Sequence, residues 1–114
     1  MTELEIVLPS AVNETRVETI VDEVCAAEKL HATMKSTLNQ YPGCVHWHFK
    51  QGKARGVLEV TWWPSNPDKK QSRQQESAPP RLWLSIHGNR MADWIEPLMP
   101  RLKLLIEERL KDSA

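Results

Sequence analysis

Glycine, cysteine and long apolar runs are all scarce in this chain of 114 residues, and each shortage closes off a class of function. The four glycines form no phosphate-cradling loop. Two lone cysteines, Cys25 and Cys44, make no disulfide framework and fit a reducing cytoplasm. No window approaches the about 20 apolar residues of a membrane span. The opening Met1-Thr2-Glu3-Leu4-Glu5 has neither a basic leader nor an apolar run, so no signal peptide is expected. Formal net charge is zero, which argues against a strongly basic nucleic-acid binder. Paired carboxylates suited to acid–base work are missing, as is any Gly-x-Ser-x-Gly elbow, so catalysis is not expected.

What is present is unevenly distributed. Five of the seven aromatic residues are tryptophan: Trp47, Trp62, Trp63, Trp83 and Trp94. Residues 1–41 carry seven acidic and three basic side chains, whereas residues 42–90 carry three acidic and eight basic ones. Positive potential is therefore expected on the central hairpin and its following loop. The length suits one domain, residues 1–114.

Alternation of Leu4, Ile6 and Leu8 before Pro9 predicts a first strand. Asn13 is a helix cap, with Glu14 in the first turn. Val17, Ile20, Val24, Ala27, Met34 and Leu38, with His31 in the same seam, predict one helix that nothing interrupts before Pro42-Gly43. Such a helix would reach about 40 Å and overhang the sheet. Strands two (Cys44 to Lys50) and three (Arg55 to Trp63) turn at Gly52-Lys53. One register sets His46 opposite Glu59 and His48 opposite Val57, and a slip of two sets His48 opposite Glu59. Residues 65–80 form a flexible polar loop. Strand four (Arg81 to His87) is followed by Gly88-Asn89, with Asn89 capping a last helix that Pro97 and Pro100 would kink.

The expected fold is α+β: a two-layer sandwich of β-α-β-β-β-α order, with a mostly antiparallel four-stranded sheet and helices on one face. Its α-β-β-β-α portion resembles the double-stranded-RNA-binding domain in element order alone, with no sequence motif behind the likeness.

Strict alternation divides the strands into two faces. Val45, Trp47, Phe49, Leu58, Val60, Trp62, Leu82, Leu84 and Ile86 form the core side. The other side holds Cys44, His46, His48, Lys50, Val57, Glu59, Thr61, Trp63, Arg81, Trp83, Ser85 and His87. Two tryptophans there need covering. The first reading is a small non-enzymatic binding domain that pairs with a second copy, or another protein, through this face. Trp63 and Trp83 would be its anchors, with His46, His48, Glu59, Arg81 and His87 around them. A loop folded back from 65–80 would cover the rings equally well.

Two alternatives use the same surface. Single-stranded nucleic acid, RNA included, would stack on the indoles between Lys50, Lys53, Arg55, Arg81, Lys69, Lys70 and Arg73. A divalent metal would bind His46-x-His48 with Glu59 across the hairpin. His87 could join only if strands two and four lie close, and Cys44, about 13 Å from His48 along the strand, cannot share an ion with both imidazoles. Otherwise no cofactor is expected. Ser85-x-His87 reads as structural, its side chains about 7 Å apart.

Overall fold

The computed structural model describes residues 2–65 and 79–114. Five strands form one sheet: β1 (Thr2–Glu5), β2 (His31–Ser36), β3 (Val45–Lys50), β4 (Leu58–Trp63) and β5 (Arg81–Ile86). Their order is β1-β5-β4-β3-β2, with every neighbouring pair antiparallel. Two helices, α1 (Val17–Ala27) and α2 (Ile95–Ser113), contact each other beside the sheet. The expected α+β class therefore holds, with one strand more than the sequence reading allowed.

That extra strand comes out of the long helix. The helix stops at Ala27 because Lys29 takes a left-handed backbone, φ 66°. The amide of Lys29 donates to the Ala26 carbonyl, and that of Leu30 reaches back to Cys25, each at 3.0 Å. This is the reverse turn that glycine usually makes at a helix end, here made by lysine and accompanied by burial of Leu30. No glycine marks the stop, so the helical stripe runs on in the sequence after the helix has ended. Val17, Ile20 and Val24 do face the core, whereas Met34 and His31 lie exposed on the edge strand β2. With four strands between the helices, the likeness in order to the RNA-binding domain is lost.

The other corrections are local. Asn13 does precede the helical segment, but its side-chain oxygen accepts from the Thr15 hydroxyl rather than from a helix amide. Asn89 does not cap α2. It sits in a short 3₁₀ turn, Gly88–Arg90, and α2 begins after Trp94. Pro97 lies in the first turn of α2, where its missing N–H costs nothing. Pro100 is accommodated within the continuous helix at a solvent-exposed position. The loop expected over 65–80 falls largely outside the described residues.

The core lies between the helices and one face of the sheet. Trp47, Phe49, Leu58, Val60, Trp62, Leu82, Leu84 and Ile86 pack there with Val17, Ile20, Leu102, Ile106 and Leu110. Trp47 also donates its indole N–H to Asp22 at 3.0 Å, tying β3 to α1. Burying these side chains contributes roughly 1.5–3 kcal/mol each and fixes the register of the strands. A slip by one residue would turn His46, His48 and Glu59 into that core.

Candidate functional site

β4 lies in the middle of the sheet, so a side chain on its polar face has neighbours on both sides. Glu59 stands directly opposite His48 of β3 and Ser85 of β5. Of the two hairpin registers, the structure adopts the one that leaves His46 opposite Thr61. His87 continues β5 in extended conformation, two residues beyond Ser85 on the same face. Alternation on three adjacent strands thus aims three imidazoles at one carboxylate.

The distances are short. Nε2 of His46 lies 3.0 Å from Oε1 of Glu59, and Nε2 of His48 lies 3.8 Å from the same oxygen. Nε2 of His87 is 3.2 Å from Oε2, and Arg90 Nη1 is 3.7 Å from it. Glu59 is only 4% exposed, and its buried Oε2 accepts no hydrogen bond from any described residue. The His87 nitrogen is near enough but not aligned to donate. A buried carboxylate oxygen left in that state is costly. Arg90 is the nearest permanent cation among the described residues, beyond hydrogen-bond length and itself 43% exposed.

Two of the imidazoles, those of His46 and His48, are held toward the neutral form. Burial holds His46 below the ordinary imidazole value, outweighing the pull of Glu59 and aided by the charges of His48 and His87. Burial lowers His48 as well, again against Glu59 and with help from Arg90 and His87. Nδ1 of His46 is 2.8 Å from the buried Thr61 hydroxyl. A proton on Nδ1, donated to Thr61, leaves the Nε2 lone pair facing Glu59. Orientation of a ligating imidazole through its second nitrogen is a recurrent device in metal sites.

One ligand atom from each of His46, His48 and Glu59 fits within a sphere of mutual distances no greater than 4.8 Å. Nitrogen and oxygen ligands about 2.0–2.2 Å from a tetrahedral ion stand roughly 3.4 Å from one another. The observed 3.0, 3.2 and 3.8 Å separations bracket that value. The atoms of His46, His48 and Glu59 would have to draw closer to share one ion, and His87, which lies outside that set of three, stands against Glu59 Oε2 alone.

The remaining face residues form a separate neighbourhood. Trp63 and Trp83 are 6% and 4% exposed, packed with Cys44, Leu38 and Tyr41. Their cover is the link between β2 and β3. The Tyr41 ring meets both indoles edge-on, at 4.9 and 5.1 Å, and Pro42 accepts the Trp63 indole N–H at 2.8 Å. The apolar area that motivated a second copy of the chain is thus occupied from within. Arg81 stacks on Trp83 at 4.3 Å and binds both oxygens of Glu5, at 2.9 and 3.2 Å. Cys44 accepts the Leu38 amide at its sulfur and takes no part in the histidine cluster. Lys69, Lys70 and Arg73 lie outside the described residues.

Sequence reasoning missed Arg90, Asn89, Gln40 and Gly56. The first three line, with the cluster, a cavity of about 500 Å³ in front of Glu59. Arg90 arrives there because the 3₁₀ turn folds it back toward β3, where Nη1 lies 3.5 Å from Nδ1 of His48. Gly56, at φ 98°, lets that turn approach: a Cβ there would lie 2.6 Å from the Ala92 methyl and 3.0 Å from the Arg90 carbonyl. A glycine before a strand was the sole available signal. Compared with protein families, curated proteins and solved structures, the chain matches none.

Proposed function

We propose that this domain acts by binding one divalent transition-metal ion, with His46, His48, Glu59 and His87 as ligands. The supporting observation is Glu59: a buried carboxylate at the convergence of three imidazoles, with one oxygen accepting no hydrogen bond from the described residues. A cation at that point would satisfy the orphaned oxygen and three nitrogen lone pairs together. The set of three nitrogens and one oxygen, with no thiolate, suits zinc, cobalt, nickel, iron or manganese rather than a soft ion. It also supports the broader reading of a small binding domain whose working surface is the polar sheet face.

The ligand positions lie on three adjacent β segments, β3, β4 and the continuation of β5, rather than on a mobile loop. Their backbone positions are therefore set before the ion arrives. The test is metal content of untagged protein purified without chelator, followed by cobalt(II) titration of the stripped protein. One equivalent with a visible-range cobalt spectrum is expected. Failure of stripped protein to take up zinc, cobalt, nickel or manganese at stoichiometric level would overturn the reading. Nothing in the aromatic neighbourhood favours nucleic acid as strongly, because Trp63 and Trp83 are covered and Arg81 is engaged by Glu5.

A further inference from the structure

Resting on that metal reading, we infer that the site takes a small carboxylate-bearing ligand, shared between the bound ion and Arg90. Two independent features of the cavity lead there: its charge, and the position of Arg90.

The cavity of about 500 Å³ is bounded by the histidine cluster on the sheet and by Gln40, Asn89 and Arg90 at its rim. This volume lies in the lower half of the range for small-molecule sites. Among the described residues Glu59 is the sole acidic residue in its lining, with Glu3 in the adjoining cavity that shares Glu59, His46 and His87. With a divalent ion bound, the ion and Arg90 together exceed the single negative charge of Glu59 by about two units. A neutral ligand would leave that excess charge in a partly enclosed space, whereas a carboxylate reduces it. The amides of Gln40 and Asn89 can donate further hydrogen bonds to the same anion.

Arg90 now faces two groups that the ion would claim. It lies 3.7 Å from Glu59 Oε2 and 3.5 Å from His48 Nδ1, which accepts from it. For His48 to ligate through Nε2, its ring proton must move to Nδ1. Two donors would then face each other across 3.5 Å. The ion would simultaneously draw the charge of Glu59 away. Both changes release Arg90 from the cluster toward the cavity, where its planar fork matches a carboxylate. Ion binding and anion binding are therefore coupled, and each strengthens the other by the same factor.

The experiment uses the full chain loaded with cobalt(II), titrated with lactate and, separately, with its uncharged counterpart lactamide. The cobalt absorption bands and a dissociation constant are the readouts. Lactate is expected to shift the bands saturably, and lactamide to bind at least about tenfold more weakly. Arg90→Gln should bind cobalt at least as tightly as the parent chain, because a competing cation has gone. It should lose at least about tenfold in lactate affinity, with partial recovery in Arg90→Lys. Arg90 is exposed, and an unchanged melting temperature of stripped Arg90→Gln checks that the fold is intact. Absence of cobalt uptake by the parent chain overturns the metal site itself. Cobalt uptake with equal lactate and lactamide binding, or with lactate affinity unaffected in Arg90→Gln, overturns the anion inference alone.

Discussion

Trp63 and Glu59 lie on the same strand and the same side of the sheet, and both are buried, with 6% and 4% of their surface exposed. Around Trp63 the chain finishes its own packing: Tyr41, Leu38, Cys44 and Trp83 close over the ring, and its indole N–H is donated to Pro42. Around Glu59 the packing is left unfinished. A carboxylate oxygen accepts nothing from the described residues, two imidazoles are held neutral by burial, and a cavity opens in front. One link, between β2 and β3, borders both neighbourhoods, since Leu38 packs on the indoles and also lines the cavity. The contrast teaches that the aromatic half of the face completes its own packing, while the histidine half leaves a buried carboxylate poorly compensated.

The sharpest way to break that contrast is to exchange the expected costs. Trp63→Ala removes a large, well-packed ring and should cost about 3–5 kcal/mol in denaturant unfolding. Cobalt affinity of the folded fraction should change by less than about threefold, because Trp63 and Glu59 stand about 13 Å apart along β4 and share Leu38 only at the cavity edge. Comparable losses in both measurements would merge the two halves into one unit.

Glu59→Gln should do the reverse. Cobalt affinity should fall at least about a hundredfold, more than loss of a supporting outer partner costs. Stability of the stripped protein should hold or rise by up to about 2 kcal/mol, since a poorly compensated buried charge is removed. A clear loss of stability without metal would instead make Glu59 a structural residue.

Gly56→Ala tests how the site is assembled. Its Cβ would collide with Ala92 and strain a left-handed backbone, φ 98°. A cost of about 1–3 kcal/mol is expected from crowding and strain. Cobalt affinity should drop about tenfold as well, because the displaced turn directly follows His87 and would carry that ligand out of place. Stability lost with full metal affinity would uncouple the turn from the site.

The smallest effect concerns acidity. His46 and His48, facing Glu59, His87 and Arg90, titrate below their ordinary value in the folded chain. The unfolded chain therefore binds protons first. Their contribution to stability is complete above about pH 6.5 and is lost as pH falls through the window beneath it. The melting temperature of stripped protein should decline between about pH 7.5 and about pH 5.5, less steeply in His46→Gln. A rise on acidification would reverse the assignment. Cys25 lies outside this contest: burial first, then the charges of Asp22 and Glu28, push its thiol up to about 12.

Which side chains share a face was legible from alternation, because a strand sends successive side chains to opposite sides whatever surrounds it. Thus His46, His48 and Glu59 could be placed together, and Trp63 and Trp83 on their side, from residue order alone. The hairpin register could be narrowed to two choices but not one, since a slip of two preserves both faces. The end of α1 was hidden because Lys29 adopts a conformation that sequence associates with glycine. That single turn converts the second half of an apparent helix into β2 and delivers Tyr41 over the indoles.

By itself, then, the sequence determined the two-layer class and the membership of each sheet face, through periodicities that depend only on local backbone geometry. Tertiary structure alone decided that β4 is central, with His46 and His48 on one side of Glu59 and His87 on the other. It also decided that Arg90 turns back into the same cavity. Strand order and the path of a turn are settled by long-range burial, and no local pattern encodes which strand lies in the middle.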